Sequence, residues 1–557
     1  MTQNSHISLA LIDWTVILLY FVIIIGIGLY LNKYAKSGDD YFLAGRKNSS
    51  WVAGLAFLSA NLGALEILGL SGSTVQYGIH VAHFYWIGAI PAMIFLGLYM
   101  MPFYYSSNIH SIPGYLKLRF DEKTRILNAI AFAAMTLLVS GINLYSMALV
   151  LRTFLGWEWN SCMWASAIAV GSYVTLGGLM SAIFTEIIQF FLIWFGLLLL
   201  PILGIVELGS MNQIISQLPD TMGRLWANTG DPSANAMGVT WLGITLGLGF
   251  VLSFGYWTTD FLVIQRAFSA KDLRSAQMAP IQAAFFKMIL PFIVITAGLV
   301  AWKLDQTSGG FLLRNIDGTV NYDSAIPMLI QRYYPPGLIG LGVTALLAGF
   351  MAGQAGNISA FNTVWTYDLY KALINKTATD DHLVRVGKIT TVVGILLSIM
   401  TAYLAQSFPS IMDYMQAIFS WVNAPLFATM LLGMFWKRTS PNGAFWGLVI
   451  GMGTSIGLFI LLKFNMLEAP AFGISSEFSS MSNNLWRAWW AWLVTFVFTM
   501  IISLVTAPKP ESELVGLVKG LSPESEMKHE NVPLLSKPGF WAIIALICCV
   551  LLDLYFW

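Results

Sequence analysis

The chain has 557 residues, of which 57% are hydrophobic and only 10% are charged, whereas a water-soluble chain carries roughly 25% charged residues. A net charge of +1 supplies no field to gather nucleic acid. Three cysteines, Cys162, Cys548 and Cys549, offer neither a disulfide framework nor paired metal-ligand spacing. A string of soluble domains is excluded, and the class that remains is an all-α, polytopic integral membrane protein.

A helix needs about 20 apolar residues to cross the hydrocarbon core of a bilayer. In chain order the sequence predicts about fourteen transmembrane helices, near 12–32, 51–74, 80–106, 126–150, 158–177, 181–206, 238–264, 277–302, 335–366, 386–407, 411–436, 442–463, 485–507 and 538–556. No Lys or Arg precedes the first, so it reads as an anchor and not as a cleavable signal. Of the 29 Lys and Arg, twenty-one fall in one set of alternate loops, seven in the other, and Lys287 inside a span. Basic loops face the cytoplasm, so both termini are expected outside, in a cytoplasmic or plasma membrane. The stretch 508–537, rich in Pro, Glu and Lys, reads as a flexible cytoplasmic linker that detaches the last span.

The second and seventh spans run in opposite directions and each opens a group of five. That is the topology of an inverted-repeat transporter. Both carry a polar, glycine-bearing interruption: Ser59-Ala60-Asn61-Leu62-Gly63-Ala64-Leu65-Glu66 in the first and Ser253-Phe254-Gly255-Tyr256-Trp257-Thr258-Thr259-Asp260 in the second. Unwound backbone at membrane depth survives only beside a cavity, and matched interruptions point to a binding site. Close helix packing through small residues is the competing explanation. The expected segments are therefore 1–50, an N-terminal helix and loop; 51–206 and 207–436, the two repeats; 437–507, two accessory helices; 508–537, the linker; and 538–557, a last helix.

An ionisable group near mid-membrane costs several kcal/mol unless paired or hydrated. Glu66, Lys287 and Glu186 stand out. Lys287 lies roughly 15 Å into its span. Glu66 and Lys287 are expected to pair across one cavity and orient a polar solute, with Glu186 lending charge to a cation site; a buried pair that merely fixes helix register is the alternative. Asp260 reads as a solvated cap near the inner interface, and Asp13 and Asp553 as structural. Gly349, Ala352, Gly353 and Gly356 share one helix face, a groove for close approach of another backbone. There is no phosphate-binding loop, no dinucleotide fingerprint and no nucleophile triad, so the chain does not read as an enzyme or an ATP-driven pump and needs no cofactor beyond a coupling ion.

Several motifs then resemble one family. Asp40-Tyr41-Phe42-Leu43-Ala44-Gly45-Arg46, Gly177-Gly178-Leu179 with Ala182, Thr185, Glu186 and Gln189, Gln265-Arg266 followed by Lys287, and Gly433-Met434-Phe435-Trp436-Lys437-Arg438 occur in the order of the sodium/solute symporter family. The pattern is most similar to its sodium/sugar cotransporter branch. The resemblance implies a LeuT-type five-plus-five inverted-repeat core with one extra N-terminal and three extra C-terminal helices, working by alternating access. It also implies a sodium site at Ser59, Leu62, Gly349, Ala352 and Gly353, although the branch has serine hydroxyls where this chain has Ala352 and Gly353. Asn357 or Glu186 are the candidate substitutes, and coupling to protons, or none, stays open. The implied solute residues are Glu66, Tyr85, Ser253, Tyr256, Lys287 and Gln416. Tyr256, Lys287 and Gln416 match the branch; Glu66, Tyr85 and Ser253 depart from it. The expected partners are a small polar solute, a sugar first, a coupling cation and the bilayer. An antiporter-like subunit of an energy-coupling complex is the rival class.

Overall fold

The computed structural model describes residues 9–32, 38–314, 318–405, 410–521 and 533–557. Lys33 and Lys36, two of the basic residues counted above, and the middle of the expected linker lie outside them. The regular structure of the described residues is helical, with isolated β-bridges and no strand among them. Eleven helices are long and apolar enough to cross a membrane, or up to thirteen when each of two sharply bent pairs is taken as one span.

The elements used below are α1 (Leu11–Asn32), α2 (Ser50–Asn61), α3 (Leu65–Ala82), α4 (Phe84–Ser106), α5 (Glu122–Leu155), α6 (Trp159–Leu197), α7 (Gly243–Thr259), α8 (Phe261–Phe268), α9 (Leu273–Ser308), α10 (Leu338–Ile374), α11 (Asp380–Ala405), α12 (Ile411–Phe435), α13 (Pro441–Lys463), α14 (Ser480–Val505) and α15 (Pro538–Tyr555). The described parts of the predicted apolar stretches fall on these helices or bent pairs, while eleven to thirteen of the described helices are long and apolar enough to span, against the fourteen expected. The fifth and sixth form the two arms of α6, which turns at Gly178 (φ 57°, ψ −149°). A side chain there would strike the Tyr41 carbonyl at 2.6 Å, so the turn requires glycine.

Helix starts follow the local chemistry. Ser49, Asp121, Glu158, Asp272, Ser410, Ser440 and Ser479 each accept a backbone N–H from the first turn of the helix they precede. Gly156 and Gly309 end α5 and α9 in the left-handed conformation. Asp13 does more than hold its own helix end, since its Oδ1 accepts the Gly337 and Gly340 N–H groups, both at 2.7 Å, and so caps α10 from α1.

α2 and α3 meet at 60°, and α7 and α8 at 47°, at the two predicted interruptions. At the first break the Ala64 N–H leaves the helix ladder and is taken by Asn143 Oδ1 at 3.1 Å, and at the second Asp260 adopts an extended backbone (ψ 115°) between the two helices.

Residues 511–521 are packed, unlike the loose tether expected for 508–537. Lys519 N donates to Met434 O at 2.8 Å, Tyr115 Oη donates to Leu517 O at 2.5 Å, and Lys437 pairs with Glu511. The last helix is likewise docked. Phe556 stacks on Trp86 at 5.3 Å, and Asp553 accepts Trp226 Nε1 at 3.1 Å. The start of α1, the end of α15 and the 209–240 and 309–337 connections therefore share one face, while the basic loops gather on the other.

Candidate functional site

α3, α4, α7, α9 and α12 line a small cavity. All six residues expected to meet solute, Glu66, Tyr85, Ser253, Tyr256, Lys287 and Gln416, line it. Lys287 Nζ donates to Glu66 Oε2 and to Asn61 Oδ1, both at 2.6 Å. Both charges are buried, with 3% of each side chain exposed. Nζ also sits 5.1 Å from the Tyr85 ring centre and 5.2 Å from that of Trp257, so aromatic faces support the ammonium where water cannot. The pair leaves the cavity electroneutral. Glu66 Oε1 and the Tyr85 hydroxyl are buried with no hydrogen-bond partner among the described residues. Gln416 reaches only the Met412 sulfur, at 3.6 Å. Ser253 lies against Gly88, where any side chain would be 2.3 Å from its hydroxyl oxygen.

Tyr256 forms the floor. Its ring lies 4.9 Å from Phe419, and its hydroxyl accepts Asn61 Nδ2 at 3.0 Å. Beneath it lies a second, smaller chamber that shares Asn61, Leu65, Tyr256 and Phe419 and adds Asn143, Asp260, Gly353 and Asn357. Asp260 caps α8 as expected, but it is 3% exposed, so the solvated position read from the sequence is corrected: the break in α7–α8 carries its carboxylate inward.

The residues assigned to a cation fall in two places. Ser59, Leu62, Gly349 and Gly353 follow the seam between α2 and α10. A Cβ at Gly349 would stand 2.7 Å from the Leu62 carbonyl oxygen, and one at Gly353 would stand 3.1 Å from Gly63 Cα. Ala352 is buried on the same helix. Ser59 Oγ has no hydrogen-bond partner, but the Ser59 carbonyl already accepts the Leu62 N–H at 3.0 Å. Glu186 stands apart, fully buried, 2.5 Å from Arg266. Its charge is already met.

Arg266 and Arg125 were counted among basic loop residues. The structure buries both, Arg125 pairing with Asp368 at 2.8 Å above a cleft of about 1390 Å³ on the basic-loop face. Arg487, counted with the opposite loops, is buried among Ser420, Asn484 and the Phe459 ring. Asp323, in the 309–337 connection, accepts the Ile411 N–H at 3.4 Å; burial, reinforced by the Asp413 carboxylate, pushes its pKa up to about 7.

Two broken helices, a midplane cavity between five-helix groups and cross-repeat ion pairs are the architecture of an inverted-repeat transporter. The sequence profile of the sodium:solute symporter family matches residues 41–451. The chain belongs to that family. A sodium/glucose cotransporter of Vibrio parahaemolyticus is 29% identical over 486 residues, covering 84% of this chain and 88% of that one. Sodium/glucose cotransporter 4 of Homo sapiens is 28% identical over 568 residues, covering 96% and 82%. A solved Na+-coupled sialic acid symporter, substrate-bound and outward-open, shares the fold, with a TM-score of 0.73 at 19% identity over 90% of this chain and 99% of that one. The symporter is thus a member of a family of secondary transporters, and the antiporter-like reading lapses.

Proposed function

We propose that the symporter imports a neutral polyhydroxylated solute, a sugar first, down an inward sodium gradient, with both termini and the 209–240 and 309–337 connections outside and the basic loops in the cytoplasm. The observation that carries the solute class is the electroneutral Glu66–Lys287 pair. A closed pair has no charge left for an ionic solute, while Glu66 Oε1 and the Tyr85 hydroxyl retain unused hydrogen-bonding capacity. Unused buried polar atoms cost about 1–3 kcal/mol each, which solute hydroxyls recover through charge-assisted bonds. Tyr85, Trp257 and Phe84 supply the flat apolar faces that a sugar ring needs. Sodium as the coupling ion is supported by the family and by the sodium/glucose cotransporters among its relatives.

The test is uptake of labelled glucose, galactose and myo-inositol into proteoliposomes, with inward sodium against choline. Sodium-driven uptake of one of them is the expected result. Transport of a charged solute with none of these three would overturn the solute class.

A further inference from the structure

The two stacked chambers differ in charge. The upper one holds Glu66 and Lys287 in balance. The lower one holds Asp260, and no cation pairs with that carboxylate among the described residues; its Oδ1 accepts the Leu262 N–H at 2.9 Å, and the Asn423 carboxamide beside it is uncharged. Arg266, close by in sequence, is committed to Glu186. A carboxylate so deeply buried is costly without a counter-charge.

The rest of the chamber presents oxygen. Asn143 Nδ2 donates to the Val139 carbonyl at 3.4 Å, and Asn357 Nδ2 to the Gly353 carbonyl at 2.9 Å. Each carboxamide thus turns its nitrogen to its own helix and leaves its oxygen over. Asn143 Oδ1 takes the Ala64 N–H at 3.1 Å and keeps a second lone pair. Glycine makes this possible. A Cβ at Gly63 or Gly353 would stand 2.8 or 2.9 Å from Asn143 Oδ1. Hard cations select such oxygen sets, and a single carboxylate suits one positive charge.

We propose that this inner chamber seats the coupling cation, a monovalent ion held by the Asp260 carboxylate with the Asn143 and Asn357 carboxamide oxygens. The site lies directly beneath Tyr256, so an ion bound there neutralises the chamber through which the solute must leave. The inference rests on the reading of the symporter as cation-coupled.

The experiment is binding of radiolabelled sodium to the purified full-length protein in detergent, without solute, beside uptake in proteoliposomes. Asp260→Asn is expected to raise the half-saturating sodium concentration at least about tenfold. Asn357→Leu, which keeps the carboxylate, is expected to raise it by a smaller factor, and carries the test if the first variant elutes aggregated. Asp260→Asn/Asn357→Asp, which moves the carboxylate across the chamber, is expected to recover binding. Wild-type sodium affinity in both single variants would overturn the site while leaving sodium-driven uptake, and the function, in place. Sodium-independent uptake by the wild type removes the coupling reading instead, and absence of sodium binding to the wild type removes the site.

Discussion

Lys287 is a buried charge whose water is replaced by two hydrogen bonds and two aromatic faces. Lys287→Ala leaves Glu66 buried and unpaired, a loss of about 3–5 kcal/mol. The expected outcome is abolished solute binding together with a lower unfolding temperature in detergent. Glu66→Gln in the same chain is expected to restore part of that stability, so the two effects combine less than additively in a double-mutant cycle. Asp323 behaves differently. Its folded pKa of about 7 exceeds the ordinary value of 3.8, so the folded state resists ionisation there. Stability from this group is full below pH 3.8 and is lost as pH rises through about 7. Asp323→Asn is expected to raise the unfolding temperature at pH 8 and leave it unchanged near pH 4, read by tryptophan fluorescence. Glu66 and Lys287 were legible because each breaks an apolar run. Arg266 was not, because its partner lies 80 residues away and its own neighbourhood reads as the end of a span. Asn61 was written into the first interruption, yet only the fold shows its oxygen on Lys287.

At the scale of elements, the broken helices were the best-announced feature. A Ser-Ala-Asn-Leu-Gly run inside an apolar stretch cannot hold a regular helix in lipid without a cavity to answer it. The bend angles and the identity of the facing helices were not announced, since they depend on long-range packing. Asp13 shows the same limit. It read as a residue at a span end, and its work lies at the start of α10, more than 300 residues on. Because it satisfies two otherwise orphaned N–H groups, Asp13→Ala is expected to cost about 1–3 kcal/mol, seen as earlier unfolding with solute affinity unchanged. The described part of the 508–537 segment that follows α14, residues 508–521, misled for the opposite reason. Its proline and charge content suggests a free chain, but Leu514 and Val518 are fully buried against the basic-loop face.

Among the described residues, three buried ion pairs each join the first repeat to the second: Glu66–Lys287, Arg266–Glu186 and Arg125–Asp368. Two sit toward the centre, and the third overlooks the basic-loop cleft. Opening that face must separate Arg125 from Asp368 or carry them together. Arg125→Ala is expected to loosen the closed form, so that preloaded vesicles lose solute faster without an opposing gradient; unchanged efflux would show that the pair moves as one body.

Gly63 and Gly353 meet backbone to backbone, one from each repeat. A seam without side chains has no rotamers to rearrange when its two sides slide. It can serve as a bearing: the repeats rock over it, while the ion pairs around it register each position.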